Sequence, residues 1–371
     1  MAVRTALILA DSCGSAVVRE NRNISEWINS AFSGIMDGGY IETNVIRPRI
    51  KEIQEKAGMF KWNDFQIASG SLPKRALLLA PCGSGKTLAA WRWIQAQLTH
   101  KPALRVIFLY PTRATANEGF RDYVSWAPES DAGLIHGTSG YDLDGMFDQP
   151  EDERSMKNFS AEDRMYALGY WQRKIFSATV DQFLGFMQQA YQSVCMMPIL
   201  ADSVVVLDEI HSFDKSLFSA LKMFLKNFDV PVLCMTASLP KARRDDLVND
   251  YGLTLFPTET DDFVDLEKKS EMPRYRVEIL QDECNAEQIA SGEIASGQPQ
   301  KILWVVNTVT RCQQLARKFN ALCYHSRFKL EDRKDKHSSV IKAFQQKGDS
   351  VLAITTQVCE MSLDLDADIL V

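Results

Sequence analysis

Short, nearly unbroken apolar runs punctuate this chain, each followed by a polar turn and then by helix-spaced apolar positions. They are ALLLA (76–80), RVIFLY (105–110), SVVVLDEI (203–210), PVLCMTA (231–237), KILWVV (301–306) and SVLAIT (350–355). Such Val/Ile/Leu runs belong to strands covered on both faces. Their alternation with helical patterns predicts an α/β chain of parallel sheets with helices on either side. Ligands in these sheets bind just beyond the carboxyl ends of the strands, so the loops after the six runs are where chemistry is expected.

The same pattern predicts the domain order. Residues 1–60 read as an N-terminal helical segment, 61–256 as a first αβ block and 274–371 as a second. Between the blocks, the polar stretch PTETDDFVDLEKKSEMP (257–273) reads as the linker. The acidic stretch at 143–164 reads as a surface insertion without a catalytic role.

Composition adds bounds. A chain of 371 residues, 46% hydrophobic and 24% charged, is long enough to bury two cores. A net charge of -6 excludes a uniformly basic nucleic-acid coat but leaves room for a local positive groove. The 8 cysteines are scattered without a CxxC pair, which predicts reduced thiols in a cytosolic protein rather than a disulfide frame or zinc site. The opening MAVRTALILADSC sets Arg4 before an apolar run, but Asp11 interrupts that run, so it reads as a core helix. No window is apolar over the length of a membrane span, and a soluble, cytoplasmic protein is the expectation.

Two strand ends carry candidate chemistry. ALLLA leads into PCGSGKT and a helix rich in Ala, Leu, Trp and Gln. In the glycine-rich turn of Gly83, Ser84 and Gly85, successive backbone N–H groups can point at a phosphate beside the positive end of the helix dipole. Lys86 is placed to reach the β- and γ-phosphates, and the Thr87 hydroxyl to ligate Mg²⁺. Ala80 stands where the general pattern has glycine. The second strand end, SVVVLDEIHSFD, sets Asp208 and Glu209 where carboxylates are costly unless they face a polar site. Asp208 is expected to hold Mg²⁺, and Glu209 to orient and deprotonate the attacking water. Hydrolysis of a nucleoside triphosphate follows as the expected reaction; His211, which standing alone reads as an ordinary strand-end histidine, becomes a candidate γ-phosphate sensor in this company. Gln66, upstream in WNDFQ, is expected to read the adenine edge through paired hydrogen bonds.

Gln66, APCGSGKT, DEIH, the triplet TAS (236–238) and TTQVCEMSLD stand in the order of a superfamily-two helicase of the DEAD/DEAH type. PTRATANEGF (111–120), LIHG (134–137), SATVDQFLGF (177–186), MTASLP (235–240) and TTQVCEMSLDLDAD (355–368) narrow the likeness. With them the chain resembles the helicase of type I CRISPR interference, the motor that the Cascade surveillance complex recruits to an R-loop.

The resemblance implies two RecA-like parallel-sheet domains and a set of strand contacts. Thr112 and Arg113, and Thr179 with Asp181 and Gln182, would grip the backbone of a single strand; hydroxyl and guanidinium groups at strand ends suit phosphates without reading bases. Thr236 and Ser238 would link the ATP state to that grip, in swapped order from the family's usual Ser-Ala-Thr. In the second domain Ser326 and Arg327 of YHSRF, with Thr356 and Gln357, would contact nucleic acid, and Asp364 the nucleotide. The family's motif VI, with its arginine finger, would follow the strand ADILV, where this chain stops, so the second domain is expected to be incomplete. None of the five histidines is followed by Asp, so the family's His-Asp nuclease is not expected within these residues. The resemblance leaves open a fused protein divided at that point or a separately encoded helicase, and the separate helicase is the preferred expectation.

The implied function is an ATP-dependent translocase on single-stranded DNA, running 3′ to 5′ on the displaced strand. Its implied partner is a Cascade-type effector complex with guide RNA, and no membrane. Another superfamily-two translocase, such as a restriction-system motor or an RNA helicase, and an interaction module that binds nucleotide without turnover stay open as alternatives.

Overall fold

The structure, a computed structural model, describes residues 7, 11, 14–15, 23–128, 132–135, 173–185, 197–258, 261, 263, 266, 276–279, 283–295, 299–346, 348–357, 365 and 367–371. The chain divides into two compact units, Met1–Met272 and Pro273–Val371.

The first unit carries strands β1 (Arg75–Leu79), β2 (Arg105–Tyr110), β3 (Ala132–Ile135), β4 (Ile175–Thr179), β5 (Ser203–Leu207), β6 (Val232–Thr236) and β7 (Thr254–Phe256). They form one sheet in the order β3-β4-β2-β5-β6-β1-β7, parallel at each pairing. Successive side chains of a strand face opposite ways, so each apolar run feeds two cores. Leu77, Ile107, Leu109, Val205, Leu207, Val232 and Cys234 point into one core, with Phe183, Phe213 and Phe224. Ala76, Leu78, Val106, Phe108, Val204, Val206, Leu233 and Met235 point into the other, with Trp91, Trp93 and Phe65.

The helical segment expected over 1–60 does not stand apart. Helices Ile24–Phe32 and Arg47–Ala57 flank a short helix, Gly38–Ile41, and a π-helical turn, Glu42–Ile46. Met36, Ile41, Val45 and Ile46 are fully buried in the Trp91 core, so the segment is part of the first unit. The 257–273 stretch also differs from a plain linker. Leu266 is buried in that core, and Phe263 meets Phe65 edge-on at 6.0 Å between ring centres. Its polar composition hid two apolar anchors. The start of the chain read as a core helix lies mostly outside the described residues, and the acidic insertion at 143–164 wholly so.

The second unit has β8 (Lys301–Val305), β9 (Leu322–Tyr324), β10 (Val351–Thr355) and β11 (Ile369–Leu370), in the parallel order β11-β8-β10-β9. Helix Val309–Phe319 packs Cys312 and Leu315 onto Ile302, Trp304 and Ile354, while Tyr324, Val340, Phe344 and Ala353 form a smaller core.

Candidate nucleotide and nucleic-acid site

Because the first sheet is parallel, its carboxyl ends share one edge. The order β5-β6-β1 sets the ends of these three strands side by side, and the Ala80 N–H donates to the Thr236 carbonyl across two of them at 3.2 Å. The loop after β1 turns through Gly83 (φ 74°) and Gly85 (φ 87°), both left-handed, where a side chain would be strained. Gly85 caps the helix Lys86–His100. A Cβ on Gly85 would stand 2.3 Å from Nε2 of Gln66, which donates to the Gly85 carbonyl at 3.3 Å.

Gln66 is therefore occupied. In a reciprocal capping box its Oε1 accepts from the Asn63 N–H at 3.3 Å, and Asn63 Oδ1 accepts from the Gln66 N–H at 2.8 Å. Asn63 Nδ2 also reaches the Ser84 carbonyl at 3.5 Å. These contacts brace the glycine loop from outside. The amide keeps one N–H and one lone pair free of these bonds for an adenine edge.

Inside the loop, Lys86 Nζ and Ser84 Oγ are buried without a hydrogen-bond partner among the described residues. A buried, unpartnered ammonium is costly, and a phosphate group would satisfy it. Asp208, at the end of β5, is 5% exposed and hydrogen-bonded through both oxygens: the Glu209 N–H donates to Oδ1 at 2.8 Å and the Tyr123 hydroxyl to Oδ2 at 2.9 Å. Burial, reinforced by the negative charge of Glu209, pushes its carboxyl up to about 6, against the pull of the Lys86 ammonium. A carboxylate in that setting gains most from a cation. The Thr87 side chain lies near the same Tyr123 hydroxyl. The donor set of one carboxylate and one hydroxyl fits magnesium, a hard cation that keeps several of its own waters.

Glu209 sits in the left-handed region, φ 53° and ψ 39°, a rare conformation for a residue with a side chain. That turn aims its carboxylate at His211, whose Nδ1 lies 3.0 Å from Glu209 Oε2 and 2.9 Å from Thr236 Oγ1. Thr236 Oγ1 in turn donates to the Ser238 carbonyl at 3.0 Å. The expected acid-base pair and the TAS triplet are thus one connected chain, joined through His211 rather than through the Ser238 hydroxyl.

The sequence matches known proteins along this same track. Residues 66–247 match the family described as DEAD/DEAH box helicase, and residues 298–371 the one described as CRISPR-associated nuclease/helicase Cas3, C-terminal. A putative CRISPR-associated nuclease/helicase Cas3 from Myxococcus xanthus is 36% identical over 389 residues, covering 100% of this chain and 48% of that protein. The chain belongs to the Cas3 helicase family. The CRISPR-associated endonuclease/helicase Cas3 of Escherichia coli K12 is 27% identical over 358 residues, covering 81% of this chain and 39% of that protein. The chain thus spans about half the length, or less, of these Cas3 relatives. The crystal structure of T. fusca Cas3 with AMPPNP superposes with a TM-score of 0.59 at 21% identity, covering 86% of this chain and 43% of that one, a likeness of fold.

The residues expected to grip a strand fall at neighbouring strand ends. Register pairs Tyr110 of β2 with Thr179 of β4, which brings the loops carrying Thr112, Arg113, Thr179, Asp181 and Gln182 together. Thr112 caps helix Arg113–Asp122 in a box with Thr115, each hydroxyl accepting from the other's N–H at 3.2 Å. Its hydroxyl is thereby partly committed to the fold. Thr179 is 2% exposed, whereas Asp181 is open to solvent. The Asp181 carboxylate would meet phosphates only through a cation or a base edge.

In the second unit Thr355 pairs with both Tyr324 and Val305, so Ser326, Arg327 and Gln357 lie at adjacent strand ends, all three exposed. Thr356 is buried, its N–H donating to the Tyr324 carbonyl at 3.2 Å. Gln357 Nε2 donates to Asn307 Oδ1 at 2.7 Å. Beneath them His325 stacks flat on Phe328, ring centres 4.0 Å apart, stiffening the loop that presents Ser326 and Arg327. Asp364 lies outside the described residues. Sequence reasoning missed Asn307, which directly follows the apolar run KILWVV, and Tyr123, whose contact with Asp208 carries no local pattern.

Proposed function

We propose that this chain is the ATP- and Mg²⁺-dependent motor of a CRISPR interference system, moving 3′ to 5′ along the single DNA strand displaced by guide RNA pairing. The observation that supports it most is a buried Lys86 ammonium without a hydrogen-bond partner among the described residues and a buried Asp208 carboxylate within its electrostatic reach, beyond the ends of β1 and β5 on either side of β6, in a Cas3-family chain. Lys86, Gly83, Ser84, Gly85 and Thr87 hold the triphosphate. Asp208 and Thr87 hold the metal, whose chemistry is to neutralise charge on the β- and γ-phosphates. Glu209 orients and deprotonates the water, and His211 passes the state of the site to Thr236. Arg113, Thr112, Thr179, Asp181, Gln182, Ser326, Arg327, Thr356 and Gln357 form the strand path, and Asp364 meets the nucleotide.

The partners follow from the relatives, which are named as CRISPR-associated nuclease/helicases. A Cascade-type effector complex delivers the strand, and the family's His-Asp nuclease, on this protein or on a separate subunit, cuts it. Among the described residues no helix is long and apolar enough to cross a membrane, and the motor works in the cytoplasm.

The test is ATP hydrolysis with single-stranded DNA, RNA or neither, for the native chain and Lys86→Ala. DNA-stimulated turnover that vanishes in Lys86→Ala is expected, with the far-ultraviolet dichroism unchanged. Equal stimulation by RNA would overturn the DNA assignment. Retained turnover in Lys86→Ala would overturn the phosphate loop.

A further inference from the structure

Tyr123 closes the helix Arg113–Asp122, and its side chain is 7% exposed. The ring is pinned from below by Phe108, at 5.1 Å between centres, and by Tyr110 at 6.3 Å, both on β2. Neither contact needs a hydroxyl: a phenylalanine would fill the same space. The hydroxyl nevertheless reaches a buried carboxylate, Asp208. It donates to Asp208 Oδ2 at 2.9 Å, while the Glu209 N–H holds Asp208 Oδ1. A buried hydroxyl is costly unless it is hydrogen-bonded, and here its partner is the carboxylate assigned to the metal.

We propose that Tyr123 is a positioning residue of the magnesium site, its hydroxyl fixing the Asp208 carboxylate in the orientation that faces the cation. The inference rests on the nucleotide-site reading above. Each oxygen of Asp208 keeps a lone pair beyond its present hydrogen bond, so the bonds from Tyr123 and Glu209 leave room for a cation or its water. Groups that orient a ligand from outside in this way typically set metal affinity by about 10–100-fold. The position also gives the site a mechanical anchor. Tyr123 ends the very helix that Thr112 begins, so the contact with Asp208 and the first strand-contact loop share one rigid element.

The probe is Mn²⁺, read by its electron paramagnetic resonance signal, titrated into the full chain with a non-hydrolysable ATP analogue. Tyr123→Phe is expected to weaken Mn²⁺ binding in the nucleotide complex by about tenfold or more, while analogue binding in EDTA stays at the native level. Tyr123→Met, which also lacks the hydroxyl but loosens the packing, should match Tyr123→Phe in metal affinity and differ from it in thermal midpoint. Mn²⁺ affinity within twofold of native in Tyr123→Phe would overturn the inference and leave the nucleotide site standing. A native chain that binds the analogue with no dependence on Mn²⁺ would overturn both.

Discussion

The bracing of the phosphate loop by Gln66 yields a sharp prediction for Gly85→Ala. The new Cβ would lie 2.3 Å from Gln66 Nε2, a distance that real contacts do not tolerate, so the amide must swing away. That breaks its bond to the Gly85 carbonyl and unsettles the capping box with Asn63. Losing one such hydrogen bond costs about 1 kcal/mol. Independently, a side chain at φ 87° costs ~1–2 kcal/mol of backbone strain. Gly85→Ala should therefore destabilise the loop and the helix Lys86–His100 by ~2–3 kcal/mol, the sum of those two terms. In a Gln66→Ala background the steric part disappears and only the strain remains, so the two substitutions should couple by about 1 kcal/mol. Native-state hydrogen exchange of the Lys86–His100 amides reads this directly, alongside urea unfolding followed through Trp91 and Trp93. An equal cost of Gly85→Ala in both backgrounds would refute the bracing argument and leave backbone strain as the whole effect.

Two further outcomes follow from the site and the second unit. Thr236→Val keeps the volume of a fully buried side chain but severs the bond to His211; it should leave nucleotide binding intact and uncouple hydrolysis from DNA, seen as lost stimulation with basal turnover retained. In the second unit the Cys312 thiol, 3.6 Å away, lowers the Cys323 thiol to about 7, against its own desolvation and aided by Lys336 and Arg317. Thiolate then forms as pH rises through about 7, so iodoacetamide labelling of Cys323, mapped by mass spectrometry, should climb across that range. Cys312→Ala should move the climb to higher pH. Cys234, pushed up to about 12 by burial, should stay unlabelled in the folded chain at every pH on that curve.

What could be read from the sequence was what is written locally. The six apolar runs became β1, β2, β5, β6, β8 and β10, because a strand buried on both faces must be apolar throughout. The others carried weaker signals. β9 has three residues and β11 two, while β4 holds Ser177, satisfied only by a distant bond to the Ala116 carbonyl at 2.7 Å. The chemistry divides in the same way. Lys86, Thr87, Asp208 and Glu209 were legible because their backbone setting, glycine turn or strand end, lies beside them. Tyr123 was not, because its hydroxyl meets Asp208 across 85 residues of chain. Gln66 was found for its amide, but that it props the loop depends on the approach of a helix that the linear order does not show.

The left-handed backbone at Glu209 bears on how this chain would respond to selection. Holding a residue with a Cβ in that conformation costs ~1–2 kcal/mol, from which a glycine would be exempt, even after its greater freedom in the unfolded chain takes back part of the gain. The fold is therefore at odds with its own proposed catalytic base: heat resistance and water activation pull position 209 in opposite directions. A library sorted for thermal endurance alone would drift toward glycine there, and the resulting protein would be sturdier, well folded and inert.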